Sequence, residues 1–175
     1  MSGISDQEPL KMIIIGGPGT GKSTSIKAVT KVLNDNNTNF VLQLGTTGTA
    51  SFCNIRSHGS FSLGVSVNCT FVPLQVLALL KIPQRLQPYK IIIIDEISIM
   101  GLKILSYIDK RLRQDFGKMD IPFGGYAIIF VGDFQQLPSI CDTCLCGNDG
   151  SSATLIYYSI SNVVIIHEIH HHAGE

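Results

Sequence analysis

The feature that most constrains the fold is a glycine-rich segment, residues 16–23, placed between an apolar run and a helical pattern. It reads Gly-Gly-Pro-Gly-Thr-Gly-Lys-Ser and fits the pattern G-x-x-x-x-G-K-[ST]. The apolar run occupies residues 12–15, and the helical pattern occupies residues 22–33. Glycines let the backbone curl so that successive N–H groups point into the turn, and a helix N-terminus adds about half a positive charge. This order of strand, loop and helix predicts an anion-binding turn rather than a chance glycine-rich loop.

The turn predicts a site for the phosphates of a nucleotide. We expect Lys22 to reach the β and γ phosphates and the Ser23 hydroxyl to ligate Mg²⁺. The expected nucleotide-binding residues are Gly17, Pro18, Gly19, Thr20, Gly21, Lys22, Ser23 and Thr24.

A second motif supports magnesium-nucleotide chemistry. Four consecutive isoleucines, residues 91–94, are followed by Asp95 and Glu96. At the end of a buried strand, Asp95 can hold Mg²⁺ through water, and Glu96 can polarise an attacking water. Two solvated acids at a strand end are the alternative for this pair alone, but the phosphate loop upstream argues against it. Together the two motifs predict nucleotide hydrolysis.

ATP is the expected nucleotide, because the sequence has no N-K-x-D guanine-reading motif and adjacent Asp and Glu are typical of ATPases. Gln7 is either an adenine-reading residue or an ordinary polar residue. A third polar cluster, Gly-Asp-Phe-Gln-Gln-Leu-Pro at residues 132–138, follows another apolar run. Polar groups at strand ends face the ligand crevice of an open α/β sheet, so an Asp or Gln there can contact the γ-phosphate.

Apolar runs alternate with helical patterns along the chain. Strands covered on both faces are predicted at 12–15, 91–94, 127–131 and 163–166, with a fifth strand at 40–44. Apolar spacings of three and four between residues 99 and 116 predict an amphipathic helix. Four basic residues largely off its apolar stripe predict a solvated face or a DNA contact: Lys103, Lys110, Arg111 and Arg113. The alternation predicts an α/β fold with a mostly parallel sheet, and residues 139–152 predict a long surface loop.

Composition and charge add limits. Lys plus Arg and Asp plus Glu number 13 each, so a nucleic-acid partner would need a local groove rather than an overall basic field. No apolar run approaches the roughly 18 residues of a membrane span, and the N-terminus lacks the basic and apolar regions of a secretory signal. We therefore expect a soluble intracellular protein without membrane contact, whose five cysteines are reduced thiols.

Four segments together carry a family resemblance: GGPGTGKST (16–24), IIIIDEISIMG (91–101), LSYIDKRLRQ (105–114) and PFGGYAIIFVGDFQQLPSI (122–140). They are similar to superfamily 1 DNA helicases of the petite-integration-frequency and RecD-like group, and closest to the helicase region of Helitron rolling-circle transposons. The resemblance implies a RecA-like, three-layer P-loop domain over residues 1–175, equivalent to a first motor domain, with the second motor domain absent. It also implies an ATP-driven motor moving 5′ to 3′ on single-stranded DNA, a nuclear location, and work in repair, recombination, telomere upkeep or transposition.

The resemblance also assigns roles to single residues. Lys22 and Ser23 correspond to the phosphate and metal residues, Asp95 and Glu96 to the metal and water residues. Gln136 corresponds to the γ-phosphate sensor that couples hydrolysis to DNA.

Other family positions concern DNA and the transition state. Residues 45–50 resemble the T-G-T-A segment that touches the DNA backbone. The histidine of the next family segment is displaced to His58, and His171 stands where the family has an arginine. An arginine that stabilises transition-state charge contributes roughly 10³ to 10⁵ in rate, and a histidine is mostly neutral at pH 7.

Three alternatives remain at this point. Residues 167–171 match the zinc-protease pattern H-E-x-x-H, which needs a helix presenting both histidines on one face. Cys141, Cys144 and Cys146 are either zinc ligands with a neighbouring histidine or surface thiols. The third alternative is that the chain is a catalytically inactive remnant, which binds ATP and hydrolyses nothing.

Overall fold

The computed structural model describes residues 8–34, 40–45, 52–55, 62–65, 89–135 and 142–167. Within these residues, strands form one sheet in the order β4-β3-β2-β5-β6-β1-β7. The strands are β1 (Lys11–Gly16), β2 (Val41–Gly45), β3 (Phe52–Ile55), β4 (Ser62–Val65), β5 (Ile91–Asp95), β6 (Ala127–Gly132) and β7 (Asn162–Ile166).

The five neighbouring strands from β2 through β5, β6 and β1 to β7 run parallel. This confirms the predicted strands and the mostly parallel sheet. Branched Ile and Val side chains suit such a sheet because they pack well on a pleated, covered surface. Strands β3 and β4 extend the β2 edge in antiparallel pairs and were not predicted, since each has only four residues and no clear polar alternation.

The described helices lie on both faces of the sheet: α1 (Lys22–Leu33), α2 (Leu102–Phe116) and α3 (Ser152–Tyr158). One apolar cluster joins Ile26 of α1 to Ile93 of β5 and Ile129 of β6. A larger cluster joins α2 and α3 to the opposite face, and it includes Ile92 and Ile94. The result is the expected three-layer domain. In this part of the chain, no helix is long and apolar enough to cross a membrane.

The prediction that each apolar run is covered on both faces is wrong for β7. Val163, Val164 and Ile165 are 55%, 41% and 60% exposed. Neither apolar cluster of the described residues contains them. Strand β7 ends the sheet and pairs only with β1 among the described strands, so the sequence run specified a strand but not its burial.

A second expectation fails on α2. Arg111 was placed on a solvated or DNA-contacting face, yet it is 1% exposed, whereas Lys103 and Lys110 are exposed. Its guanidinium donates a hydrogen bond to Gln114 Oε1 at 3.2 Å. Asp115, one turn further along the helix, is also buried. Burial raises the pKa of Asp115 to about 7, against a smaller opposing effect of Arg111.

The predicted surface loop at 139–152 is partly confirmed. Its described residues are mostly at the surface, but Leu145 is buried in the core, and α3 begins at Ser152. The Ser151 hydroxyl accepts a hydrogen bond from the Thr154 N–H at 3.4 Å, and Asp149 accepts another from the Thr154 hydroxyl at 2.8 Å. These hydrogen bonds cap the N-terminus of α3. The helix was not predicted because its capping residues are also typical of a polar loop.

Candidate nucleotide site

The register of the parallel strands brings their carboxyl ends to one edge of the sheet. Ile15 of β1 is level with Gly132 of β6, and Asp95 of β5 is level with Val131 of β6. Because β6 lies between β1 and β5, the glycine-rich loop and the acidic pair flank the end of β6. Ligands of open α/β sheets bind at this carboxyl edge.

The loop after β1 has a backbone that its glycines permit. Gly19 and Gly21 have φ angles of +79° and +85°, in the left-handed region that favours glycine. The Thr20 hydroxyl donates a hydrogen bond to the Gly17 carbonyl at 3.0 Å and closes the turn. A β-carbon on Gly16 would lie 2.6 Å from that hydroxyl oxygen, so the close approach requires glycine.

Helix α1 begins directly behind this loop. Its first turn contains no acidic residue, so the positive end of the helix faces the loop without a compensating carboxylate from that turn. Residues 19–24 line a cavity of about 290 Å³. The geometry therefore suits a phosphate group, as the sequence predicts.

Lys22 supplies the positive side chain of the loop. Its ammonium donates hydrogen bonds to the carbonyl oxygens of Gly16 and Gly17, the second at 2.6 Å. These contacts hold the half-buried side chain back over the loop. Among the described residues, backbone carbonyls and not a carboxylate position this charge, so no acid there competes with an incoming phosphate for the ammonium.

Ser23 and Asp95 come together from different elements. They line one cavity of about 210 Å³, which also receives Lys27 and Gln43. Hydroxyl and carboxylate oxygens are the hard donors that Mg²⁺ prefers, and Mg²⁺ usually takes its remaining ligands from water and phosphate. The pair therefore fits such an ion. No group of three or more His, Cys, Asp or Glu side chains within the described ranges is arranged to hold a metal by protein alone.

Glu96 follows Asp95 in a strained conformation. Its φ of 63° and ψ of 46° lie in the left-handed region, which costs a residue with a β-carbon roughly 1–2 kcal/mol. Its N–H donates a hydrogen bond to Asp95 Oδ1 at 2.9 Å. Such strain persists where the surrounding structure imposes it and is common at functional sites.

The segment after Glu96 packs tightly on the end of β6. It forms a short 3-10 helix, Ile97–Ile99. A β-carbon on Gly132 would lie 2.8 Å from Ile97 Cγ1 and 2.9 Å from the Ile97 backbone nitrogen. Glycine at this position therefore allows the contact that fixes the direction of the chain after Glu96.

Asp133 lies between the two motifs. It is 4% exposed, and its Oδ1 accepts a hydrogen bond from the Gln135 N–H at 2.9 Å. Its Oδ2 has no hydrogen-bond partner among the residues that the structure describes. With Gly17, Thr20 and His167 it lines a cavity of about 410 Å³ beside the loop. A buried unpaired oxygen costs about 1–3 kcal/mol and calls for a ligand or water.

His167, the first residue of the zinc-protease pattern at 167–171, is a further polar residue beside this site. It follows the end of β7 and lines the cavity beside the phosphate loop. The signal that would have found it is the one used for Asp95 and Asp133: a polar residue directly after an apolar strand.

Several sequence expectations lie outside the described residues. They concern Gln7, residues 46–50, His58, Gln136, Cys141 and residues 168–175. Cys144 and Cys146 lie within the described residues and are free cysteines.

Comparison with known proteins now decides the family. The sequence matches the PIF1-like helicase family over residues 1–164. The chain belongs to this family. The ATP-dependent DNA helicase PIF1 of Trypanosoma brucei brucei is 36% identical over 127 residues, which are 72% of this chain and 12% of that protein. The ATP-dependent DNA helicase PIF1 of Candida albicans is 32% identical over 148 residues, 80% of this chain and 15% of that protein.

A solved structure shows the same fold. Unliganded Pif1 from Bacteroides sp superposes with a TM-score of 0.60 at 24% sequence identity, covering 95% of this chain and 39% of that chain. The P-loop fold and the helicase resemblance are thereby confirmed, and nothing in the comparisons supports the zinc-protease alternative. The closer likeness to Helitron regions stays a prediction. The chain spans less than a sixth of the length of the two curated relatives.

Proposed function

We propose that residues 1–175 form a single RecA-like ATP-binding domain of a DNA helicase, which hydrolyses ATP with Mg²⁺ and acts on single-stranded DNA in the 5′ to 3′ direction. The observation that carries the proposal is the meeting of the phosphate loop, the Ser23–Asp95 cavity and Glu96 at one edge of the sheet. Family membership supports it, since both curated relatives are named ATP-dependent DNA helicases.

In this proposal, phosphoryl transfer depends on positioning and charge. The loop N–H groups and Lys22 would hold the β and γ phosphates, and Ser23 and Asp95 would hold Mg²⁺. The ion, when bound, neutralises charge on the phosphate oxygens. Glu96 orients the attacking water in line with the leaving oxygen, and its strained backbone fixes the direction of its carboxylate.

Two segments that follow strands at this edge of the sheet are assigned the coupling of ATP hydrolysis to DNA. Strand β2 ends at Gly45, level with Asp95, so the segment 45–50 begins with a residue at the edge that carries the proposed nucleotide site. We assign it the DNA-backbone contact. Gln136, which follows the segment of Asp133, is assigned the role of γ-phosphate sensor. A DNA substrate agrees with a nuclear location, which imaging of the tagged full chain would test.

The decisive experiment is steady-state ATP hydrolysis by the chain with Mg²⁺, with and without single-stranded DNA. Lys22→Ala should lower turnover by about 100-fold or more, since it removes the charge that faces the transferred phosphate. Lys31→Ala is the matched control: Lys31 lies in the last turn of the same helix and is exposed. It should leave turnover unchanged. Duplexes with a 5′ or a 3′ tail would test the direction of unwinding.

Turnover equal in wild type and Lys22→Ala would contradict the enzymatic proposal. A fluorescent ATP analogue then separates the remaining cases. Binding that is lost in Lys22→Ala but not in Lys31→Ala would identify a nucleotide-binding remnant. Binding that neither substitution affects would also contradict the proposal that Lys22 lies in a nucleotide-binding site.

A further inference from the structure

The loop that follows the nucleotide motifs contains two closely placed thiols. The Sγ atoms of Cys144 and Cys146 are 2.7 Å apart, in hydrogen-bonding contact. A disulfide bond requires an approach to about 2.05 Å. Cys146 is exposed and Cys144 is partly exposed, so a small reagent can reach the pair. The nucleotide chemistry uses neither residue.

The fold holds this pair in place from both sides. Leu145, between the two cysteines, is 3% exposed and belongs to the main apolar core. The Gly147 N–H donates a hydrogen bond to the Cys144 carbonyl at 2.9 Å, which makes a tight turn around the second cysteine. Cys144 also forms an antiparallel bridge with Gly101, at the start of α2. A buried anchor between two surface side chains keeps both thiols on the outer side of the loop.

The residues before the pair attach the same loop to α2. The Asp142 carboxylate accepts a hydrogen bond from the Lys103 N–H at 3.1 Å, and the Thr143 carbonyl accepts one from the Leu102 N–H at 2.9 Å. These bonds satisfy donors that a helix N-terminus leaves open. The dithiol therefore lies on an anchored part of the molecule, so the two sulfur atoms stay near each other.

We propose that Cys144 and Cys146 form a reversible dithiol–disulfide pair that exchanges with small-molecule disulfides. One protein thiolate attacks a sulfur of the small disulfide, breaks its S–S bond and releases one small thiolate. The second protein thiolate attacks the mixed disulfide, forms the Cys144–Cys146 bond and releases the other. The two protein thiols lose two protons and two electrons, and the small disulfide leaves as two thiols.

Physical chemistry favours a labile bond here. A disulfide closed across one intervening residue is a small ring whose geometry departs from relaxed values, and strained, exposed disulfides are the easily reduced ones. The hydrogen bond with Cys144 raises the pKa of the Cys146 thiol. The site stands independently of the proposed ATP hydrolysis.

The test uses the full chain with Cys53, Cys69 and Cys141 changed to Ser, so that only the pair remains. After treatment with oxidised glutathione under native conditions, intact mass should show loss of two hydrogen atoms and no adduct. Thiol titration should show loss of both free thiols, and a reductant should restore them. Adding Cys144→Ser or Cys146→Ser to this background should instead give a glutathione adduct on the remaining cysteine.

Three outcomes would overturn the proposal. The first is a glutathione adduct, or a disulfide-linked dimer, as the main product of the chain that retains both cysteines. The second comes from the otherwise natural chain with Cys141→Ser alone: if the intramolecular disulfide disappears there, Cys141 is the true partner. Circular dichroism of each variant establishes that it is folded. Equal oxidation rates in the folded and the guanidinium-unfolded chain would also refute a pair held together by the fold.

Discussion

Strands β5 and β7 have nearly the same side chains and opposite surroundings. Residues 91–94 are four isoleucines, and residues 163–166 are two valines and two isoleucines. Ile92, Ile93 and Ile94 are at most 2% exposed, whereas Val163 and Ile165 are more than half exposed. Strand β5 has neighbours on both sides and apolar clusters on both faces, but β7 is the last strand of the described sheet. An apolar branched run thus specifies a strand, and its place in the sheet specifies its burial.

The largest expected difference comes from a matched truncation in the two strands. Ile94→Ala should lower the free energy of unfolding by about 2–5 kcal/mol, because it leaves a cavity in a close-packed core. Ile165→Ala should lower it by less than about 1 kcal/mol, because solvent already reaches the side chain. Denaturant unfolding of both variants measures the difference. Equal losses would mean that β7 is covered in solution and that the comparison is wrong.

The next prediction concerns the strand tips. Gly132→Ala should cost about 1–3 kcal/mol, since the new β-carbon meets the Ile97 backbone, and it should also lower ATP hydrolysis by displacing Glu96. Gly17, the residue directly after β1, is the comparison position. Among the described residues, a β-carbon there would meet Thr20 Cγ2 alone, at 3.8 Å, an ordinary contact. Thermal unfolding should therefore separate Gly132→Ala from Gly17→Ala, and the same loss in both would contradict the close approach at Gly132.

A buried carboxyl on α2, the helix that packs against β5, should make the free energy of unfolding depend on pH. The pKa of Asp115 is raised to about 7 by burial, above the value of about 3.9 expected in the unfolded chain. The folded state then keeps a proton that the unfolded state loses, so this contribution to stability is present below about pH 4 and is lost as pH rises through about 7.

Asp115→Asn removes the titrating group and nearly preserves its shape. The free energy of unfolding of wild type minus that of the variant should fall between pH 4 and pH 8, as measured by urea titrations at several pH values. A difference that stays constant, or rises with pH, would show that Asp115 is ionised throughout the range in the folded chain.

The smallest effect is expected on the outer face of β7. Val163→Thr keeps the branched shape that favours a strand and should change the free energy of unfolding by no more than about 0.5 kcal/mol. Differential scanning calorimetry would detect a change in the unfolding temperature if the loss of stability were larger than this. A loss comparable to that of Ile94→Ala would indicate that another surface covers β7, and light scattering would show whether that surface is a second copy of the chain.

Local signals predicted the elements that carry the site. The ends of two strands were predicted from the polar residues that follow each apolar run: the glycines and Lys22 after the first, and Asp95 with Glu96 after the other. The same pattern predicted the helix that begins at Lys22. The burial of Arg111 was missed because a charged residue near the edge of an apolar stripe gives no sign of the Gln114 and Asp115 side chains that accompany it. Helix α3 was missed because its capping residues also have the composition of a loop.

The sequence by itself determined that a glycine-rich loop follows the first strand, that two acids follow another strand, and that strands and helices alternate as in a parallel sheet, because these features depend on residues close together along the chain. Only the tertiary structure decided that β6 separates the loop from the acids, that Asp133 is buried beside the loop, and that β7 is exposed. Those facts depend on which strands become neighbours, and the apolar runs 91–94 and 163–166 are too alike to specify that order.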